Sequence, residues 1–408
     1  MDAGPLEAHP LQAPALIARA GFAVLREANG DCETLAPGGA AERARSMLPL
    51  VCHGPATFAR LGVEGFPVRD VLELWAFVRP ARFCVPTPRG LAEALALPVP
   101  QTPEHEAFAL AQAAAKLLAE LEDQENDATL LALARTMGKA GWAWSEDVAG
   151  ALSHAHVQPR AGSGLDVWRQ LPVWEETAAE APPGSQPVDP QEARRRLAEL
   201  LGPGAETRPS QADYASAVTA AFQPREKEDE PNVVLAEAGT GVGKTLGYVA
   251  PASLWAEKNG APVWISTYTR NLQRQIDTEL DRLHRDSAEK RRRVVIRKGR
   301  ENYLCLLNFQ EAAMRTGLVP ENAVGLGLLA RWALASRDGD MMGGDLPAWL
   351  LDLVGRSRVQ RLADRRGECI YSACEHYRKC YVERTIRRAR QADIVIANHA
   401  LVMIQAAM

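Results

Sequence analysis

At 408 residues, with 47% apolar and 24% charged residues, the chain has the make-up of a globular protein with room for two or three domains. Its net charge of −4 hides local basic clusters, no apolar run approaches the ~20 residues needed to span a bilayer, and an N-terminus opening with Asp2 and Glu7 lacks the basic region of a secretory signal. Seven cysteines, four of them grouped late in the chain, imply a reducing cytoplasm and a metal site rather than disulfides.

Residues 1–125 read as a small α/β accessory domain. Residues 15–18 and 22–25 have the pattern of short strands, and residues 105–122 carry helical apolar spacing. Val51-Cys52-His53-Gly54, Asp70-Val71-Leu72-Glu73-Leu74 and His105-Glu106-Ala107 resemble pieces of DnaQ-type exonuclease domains, which need several carboxylates to hold two metal ions. The acids expected there fall at Leu110 and at Phe58-Ala59, and Asp31-Cys32-Glu33 lies too close to His53 to supply them. The resemblance therefore implies a non-catalytic relative; the alternative is an unrelated, solvated accessory domain.

Residues 126–204 form a helical connector and a linker. Trp142, Trp144, Trp168 and Trp174 are the kind of residue that stacks bases in single-strand binders, but at this spacing they read as core. Residues 175–190 are polar and proline-bearing, marking a linker before a helix over 190–201.

From residue 205 the chain reads as a parallel-sheet α/β domain. Gln211 opens a helix about thirty residues ahead of a glycine-rich loop, where its amide is placed to read an adenine edge. Val233-Val234-Leu235 predicts a strand, and residues 246–258 a helix, kinked at Pro251. Between them lie Ala238, Gly239, Thr240, Gly241, Val242, Gly243, Lys244 and Thr245, a phosphate loop with alanine where the strict pattern has its first glycine. Glycines let successive N–H groups curl toward phosphate oxygens, Lys244 supplies a point charge for the outer phosphates of ATP, and the Thr245 hydroxyl is placed for Mg2+.

Residues 262–267 predict the next buried strand, followed by a helix from Tyr268 onward. Thr267, Thr269, Arg270 and Asn271 sit at its carboxyl end, where ligands gather in open α/β sheets, and suit sequence-independent phosphodiester contacts. The plainer alternative is a helix cap by Thr267 or Thr269. Residues 294–296 predict a further strand. Basic residues crowd over 290–300 and again over 356–390, on an otherwise acidic chain, as an electrostatic track for a polyanion would require.

Cys369, Cys374 and Cys380 lie within twelve residues, and Cys305 lies upstream. Four thiolates suit tetrahedral zinc or an iron–sulfur cluster, spacing alone does not choose, and His376 lies among them as a substitute zinc ligand.

Taken in order, the phosphate loop, Ser266-Thr267-Tyr268-Thr269 with Leu272-Gln273, Lys298-Gly299-Arg300-Glu301-Asn302-Tyr303-Leu304-Cys305, the three later cysteines and Ala397-Asn398-His399-Ala400-Leu401 resemble the first motor domain of DinG-type (XPD-like) superfamily-two helicases. The resemblance covers residues from about 205 to the end. It implies a RecA-like motor over 205–408 with a mainly helical iron–sulfur insertion at about 300–390 and a [4Fe–4S] cluster on Cys305, Cys369, Cys374 and Cys380. It also implies ATP-driven 5′ to 3′ movement on single-stranded DNA, splitting of forked duplexes, and a cytoplasmic, monomeric protein. The Asp-Glu-Ala-His tetrad that handles Mg2+ and water in this family occurs nowhere in the sequence. A truncated or split helicase that binds ATP and hydrolyses it poorly is expected. A single-strand-binding module without motor activity and a zinc-bearing P-loop NTPase are the alternatives.

Overall fold

A computed structural model describes residues 10–122, 128–153, 162–174, 182–206, 208–227, 230–364 and 367–406. The chain divides into two compact units, one of Met1–Val173 with Glu301–Tyr381 and one of Trp174–Arg300 with Val382–Met408.

The first unit opens with β1 (Ala15–Ala18), β2 (Ala23–Arg26) and β3 (Cys32–Leu35), an antiparallel meander. After α1 (Pro37–Ala44) the chain adds β4 (Leu50–Val51), then α2 (Gly54–Leu61) and β5 (Arg69–Asp70), both strands parallel to β1, for a sheet order β3-β2-β1-β4-β5. Helices α3 (Val71–Val78), α4 (Pro88–Ala94) and α5 (Pro103–Glu122) follow. The buried stripe of α5 is mostly alanine (Ala107, Ala111, Ala113, Ala114), and the helix packs on β1 and β2. Small side chains let the helix lie close on the sheet. Two more helices, α6 (Ala128–Lys139) and α7 (Ser145–Ser153), complete this stretch. Trp142 and Trp144 are buried here, Trp144 donating its indole N–H to the Asp70 carbonyl at 2.8 Å, so both belong to the core.

In the second unit residues 182–189 have no regular secondary structure, and residues 175–181 of the expected linker lie outside the described residues. Helix α8 (Pro190–Leu201) starts where Asp189 and Glu192 form a capping box around Pro190. Then come α9 (Pro209–Val218), α10 (Lys244–Asn259), β6 (Val263–Thr267), α11 (Arg270–Glu279), α12 (Ser287–Arg293) and β7 (Val294–Arg297). The expected strand at Val233-Val234-Leu235 is not formed: Val233 is 76% and Leu235 96% exposed, and no described strand pairs with this run. An apolar run becomes a parallel strand only with a ladder partner and cover on both faces. Helix α10 runs through Pro251, which is buried with Val249, Ala250 and Ala252, and packs on α8 and α9.

The chain returns to the first unit with α13 (Leu306–Met314), α14 (Ala323–Ala335), α15 (Ala348–Val354) and α16 (Arg356–Arg361). Helix α14 is apolar nearly all round, as a helix covered on several sides must be. It packs on α3 and α6: Arg331 donates to the Phe77 carbonyl at 2.7 Å with its guanidinium 5.4 Å from the Phe77 ring, and a side chain on Gly327 would meet Met137 Sδ at 2.4 Å. Trp349 on α15 donates to the Cys84 carbonyl at 3.0 Å. Residues 301–381 thus fold onto residues 71–139. The last elements are α17 (Tyr381–Arg390), β8 (Ile394–Asn398) and α18 (His399–Ala406). β8 lies between β6 and β7, parallel to both, with Thr267 opposite Asn398 and Arg297 opposite Ala397. Ile394, Val395 and Ile396 are fully buried, the centre of this sheet's core.

Candidate functional site

The phosphate loop enters α10 through two glycines in the left-handed region, Gly241 at φ 82° and Gly243 at φ 85°, the latter capping the helix. Three side chains bond to carbonyls of this loop. Arg208 donates to Gly241 O at 2.7 Å, Gln211 Nε2 to Gly243 O at 2.8 Å, and Lys244 Nζ to Ala238 O at 2.7 Å and Gly239 O at 3.0 Å. Gln211 is 4% exposed and sits so close that a Cβ on Gly243 would lie 2.3 Å from its Nε2. Its amide N–H braces the loop. The Tyr248 hydroxyl, one turn into α10, is pushed up by burial against an opposing hydrogen bond with Thr245.

Beside the loop is a cleft of about 450 Å3 lined by Glu206, Arg208, Gln211, Gly243, Lys244 and Thr245 together with Gln275, Glu279 and Arg282 of and beyond α11. A cleft of that size accepts a nucleotide. Arg208, immediately ahead of Pro209-Ser210-Gln211, was not singled out in the sequence; its only signal there was its place at the start of the helix carrying Gln211.

At the carboxyl ends of β6 and β8, Thr269 caps α11, accepting from Leu272 N–H at 3.2 Å. Thr267 is buried, and its hydroxyl donates to the Thr269 carbonyl at 3.3 Å. Asn271 is exposed, and the side chain of Arg270 lies outside the described residues. Two of the motifs behind the resemblance meet here: Ser266 Oγ bonds His399 Nδ1 at 2.5 Å, and Tyr268, 81% exposed, lies with its ring 6.1 Å from that of His399.

Much of both basic runs is engaged within the fold. Lys290 pairs with Asp277 and Asp281, Arg293 with Asp393, Arg300 and Arg387 with Glu383, and Arg356 with Asp352. Arg297 is buried, and Arg365 and Arg366 lie outside the described residues.

All four late cysteines fall in the first unit and are half-buried. Cys305 precedes α13, and its N–H donates to the Leu362 carbonyl at 2.8 Å. Burial pushes its thiol up, opposed by the N–H groups of Asn308 and Leu307 on the sulfur and reinforced by Asp364 and Cys374. Cys369 Sγ accepts the Tyr371 N–H at 3.4 Å, and Cys374 and Cys380 each close a short 3-10 turn. N–H groups aimed at two of the four sulfurs suit thiolate ligands. No three His, Cys, Asp or Glu side chains among the described residues stand close enough to hold a single metal ion. His376 is not placed as a zinc ligand: it is 4% exposed, its Nε2 is bonded to Gln310 Oε1, and Trp168 lies over it at 5.9 Å.

In the first unit, the residues resembling an exonuclease site build a turn. Asp70 accepts from the N–H groups of Gly54 at 2.5 Å, Leu72 at 2.9 Å and His53 at 3.2 Å. Burial raises its pKa while those three bonds lower it. His53 sits at φ 64°, its Nδ1 accepting from Ala56 N–H at 3.2 Å. Asp31 and Glu33 are exposed, Glu33 pairing with Arg43.

No helix among the described residues is long and apolar enough to cross a membrane. No family model matches the chain. It is similar to the ATP-dependent DNA helicase YoaA of Escherichia coli K12, 34% identical over 205 residues, 49% of this chain and 29% of that one. It is likewise similar to the 3'-5' exonuclease DinG of Bacillus subtilis 168, 34% identical over 209 residues (51% and 21%), and to the ATP-dependent helicase DinG of Mycobacterium tuberculosis H37Rv, 33% over 222 residues (50% and 32%). The chain spans a fifth to a third of the length of these relatives. Over about half of its own length, it is related to the DinG-type ATP-dependent helicases.

Proposed function

We propose that this chain is the nucleotide- and DNA-gripping part of an ATP-dependent DNA helicase that moves 5′ to 3′ on single-stranded DNA and opens forks. The observation that carries the reading is the loop of residues 238–245, held by its carbonyls from Arg208 and Gln211 beside a cleft of about 450 Å3. In this reading Lys244 exchanges the Ala238 and Gly239 carbonyls for the outer phosphates, Thr245 holds Mg2+, and the amide oxygen of Gln211 meets the adenine. Thr269, Arg270 and Asn271 at the start of α11 take DNA phosphates, positioned by the buried Thr267. The chain holds no Asp-Glu-Ala-His, so this stretch alone binds ATP and DNA without efficient turnover. Cys305, Cys369, Cys374 and Cys380 would hold a [4Fe–4S] cluster, in which each thiolate binds its own iron and the sulfurs need not meet at one ion. When bound, that cluster would serve as a rigid structural wedge. The five-stranded sheet serves as a non-catalytic support.

A fluorescent ATP analogue should bind the protein with Mg2+ and lose binding in Lys244→Ala, while single-stranded DNA still binds. Nucleotide binding that survives Lys244→Ala overturns the assignment of the loop. Anaerobically purified protein should be brown and carry about four irons, and a colourless protein containing zinc would remove the cluster.

A further inference from the structure

A second cleft, of about 900 Å3, opens in the first unit, with none of the cysteines in its lining. One wall is apolar: Leu48 before β4, Phe66, Pro67 and Val68 before β5, and Val324 of α14. Another part of the lining is the end of α6 and its turn into α7, which come together closely because residue 138 is glycine. A Cβ there would lie 2.1 Å from Ser145 Oγ. Along this part stand Arg135 and Lys139, both exposed, four residues apart on α6 and so side by side. Among the described residues neither makes an ion pair. Arg69, the third cation of the cleft, is held at 3.2 Å by Asp147 and lies over Trp144.

The floor is made by Glu73 of α3. One of its carboxyl oxygens accepts the Trp142 indole N–H at 3.0 Å. Burial raises its pKa to about 8, with the neighbouring Asp70 carboxylate adding to the rise and the Trp142 bond opposing it. At neutral pH Glu73 is therefore mostly the neutral acid, a hydrogen-bond donor at the bottom of a basic-walled cleft. Glu146, which is exposed, is the other acidic residue of the lining.

We propose that this cleft binds a small phosphomonoester with an apolar or aromatic body. Arg135 and Lys139 of α6 take the phosphate, the Glu73 hydroxyl donates to one of its oxygens or to an acceptor on the body, and the body lies on the Leu48, Phe66, Pro67 and Val324 wall. A phosphate fits better than a carboxylate because its three terminal oxygens can serve Arg135, Lys139 and Glu73 at once. The volume, within the range of small-molecule sites, leaves room for a body that inorganic phosphate lacks.

The test is a calorimetric titration of the full chain at pH 7 with phenyl phosphate, inorganic phosphate and phenylacetate. Phenyl phosphate should bind at least about tenfold more tightly than either of the others. The double substitution Arg135→Gln with Lys139→Gln, at two exposed positions that the fold does not need, should weaken it at least about tenfold. Lys244→Ala, in the other cleft, should leave it unchanged. Glu73→Gln keeps a donor at the floor and should retain binding above pH 8, where the wild type loses it as Glu73 ionises toward the Asp70, Glu146 and phosphate charges. Equal binding of phenylacetate, binding indifferent to the double substitution, or binding abolished by Lys244→Ala would each overturn the proposal.

Discussion

Two loops in this molecule open into helices, one in each unit, and they handle their backbone in opposite ways. The turn from β4 into α2 is closed by its own carboxylate: Asp70 is buried and takes the N–H groups of His53, Gly54 and Leu72. The loop into α10 is anchored from the other side, with Arg208, Gln211 and Lys244 bonding to its carbonyls and Gly241 and Gly243 free of Cβ atoms. An internal anion makes the first turn a structural joint. In the proposed function the second offers its N–H groups to an anion from outside, as a phosphate loop requires.

The largest effect that would sharpen this contrast lies beside the closed turn. Glu73 is held near pKa 8 in the fold against about 4.5 unfolded, partly by the Asp70 charge. The folded group binds its proton more tightly, so its stabilisation is complete below about pH 4.5 and is lost as pH rises to about 8. The total is at most about 5 kcal/mol. Urea unfolding of the first unit, followed by hydrogen exchange in α3, should show stability falling between pH 5 and 8. Glu73→Gln should flatten that slope, and a flat wild-type profile would show that Asp70 and burial do not act on Glu73.

Next in size is Asp70→Ala, which leaves two buried N–H groups and one half-buried one without their acceptor and should cost about 4 kcal/mol in the first unit. Nucleotide binding in the second unit should be unchanged. If Asp70→Ala were neutral, the carboxylate would not be the element that closes the turn.

How far these features were readable beforehand depends on whether the signal was local. The start of α8 was, because Asp189, Pro190 and Glu192 form a cap within four residues. β6 and β7 were legible from their β-branched runs. Val233-Val234-Leu235 had as good a run and formed no strand, since pairing is a property of a neighbour. β8 was overlooked although Ile394-Val395-Ile396 is just as apolar, because the motif beginning at Ala397 drew the reading. The phosphate loop was read residue by residue, whereas the bracing of its carbonyls by Arg208 and Gln211 depends on contacts some thirty residues apart. The folding of residues 301–381 onto α3 and α6 left no trace at all, being carried by single meetings such as Arg331 with Phe77 and Gly327 with Met137.

The open loop has its own probe. Gly243→Ala would force a left-handed alanine and drive a Cβ into Gln211, 2.3 Å from Nε2. Strain of about 1–3 kcal/mol is expected, and because it falls on the loop, affinity for an ATP analogue should drop roughly ten- to a hundredfold while Glu73 titrates as before. A loop that tolerated the alanine would lose its claim to a shaped N–H cradle.

The smallest effect separates a cap from a DNA contact at α11. Thr269 accepts the Leu272 N–H, so Thr269→Ala should cost about 1 kcal/mol of stability locally. Thr269→Ser retains the hydroxyl and should restore the cap. If single-stranded DNA affinity falls in Thr269→Ala and returns in Thr269→Ser in step with protection of the Leu272 amide, the threonine acts by holding the helix N-terminus for phosphate. If DNA affinity stays at the wild-type value while the amide loses protection, Thr269 is a cap alone, and the phosphate contact passes to Asn271 and the backbone beside it.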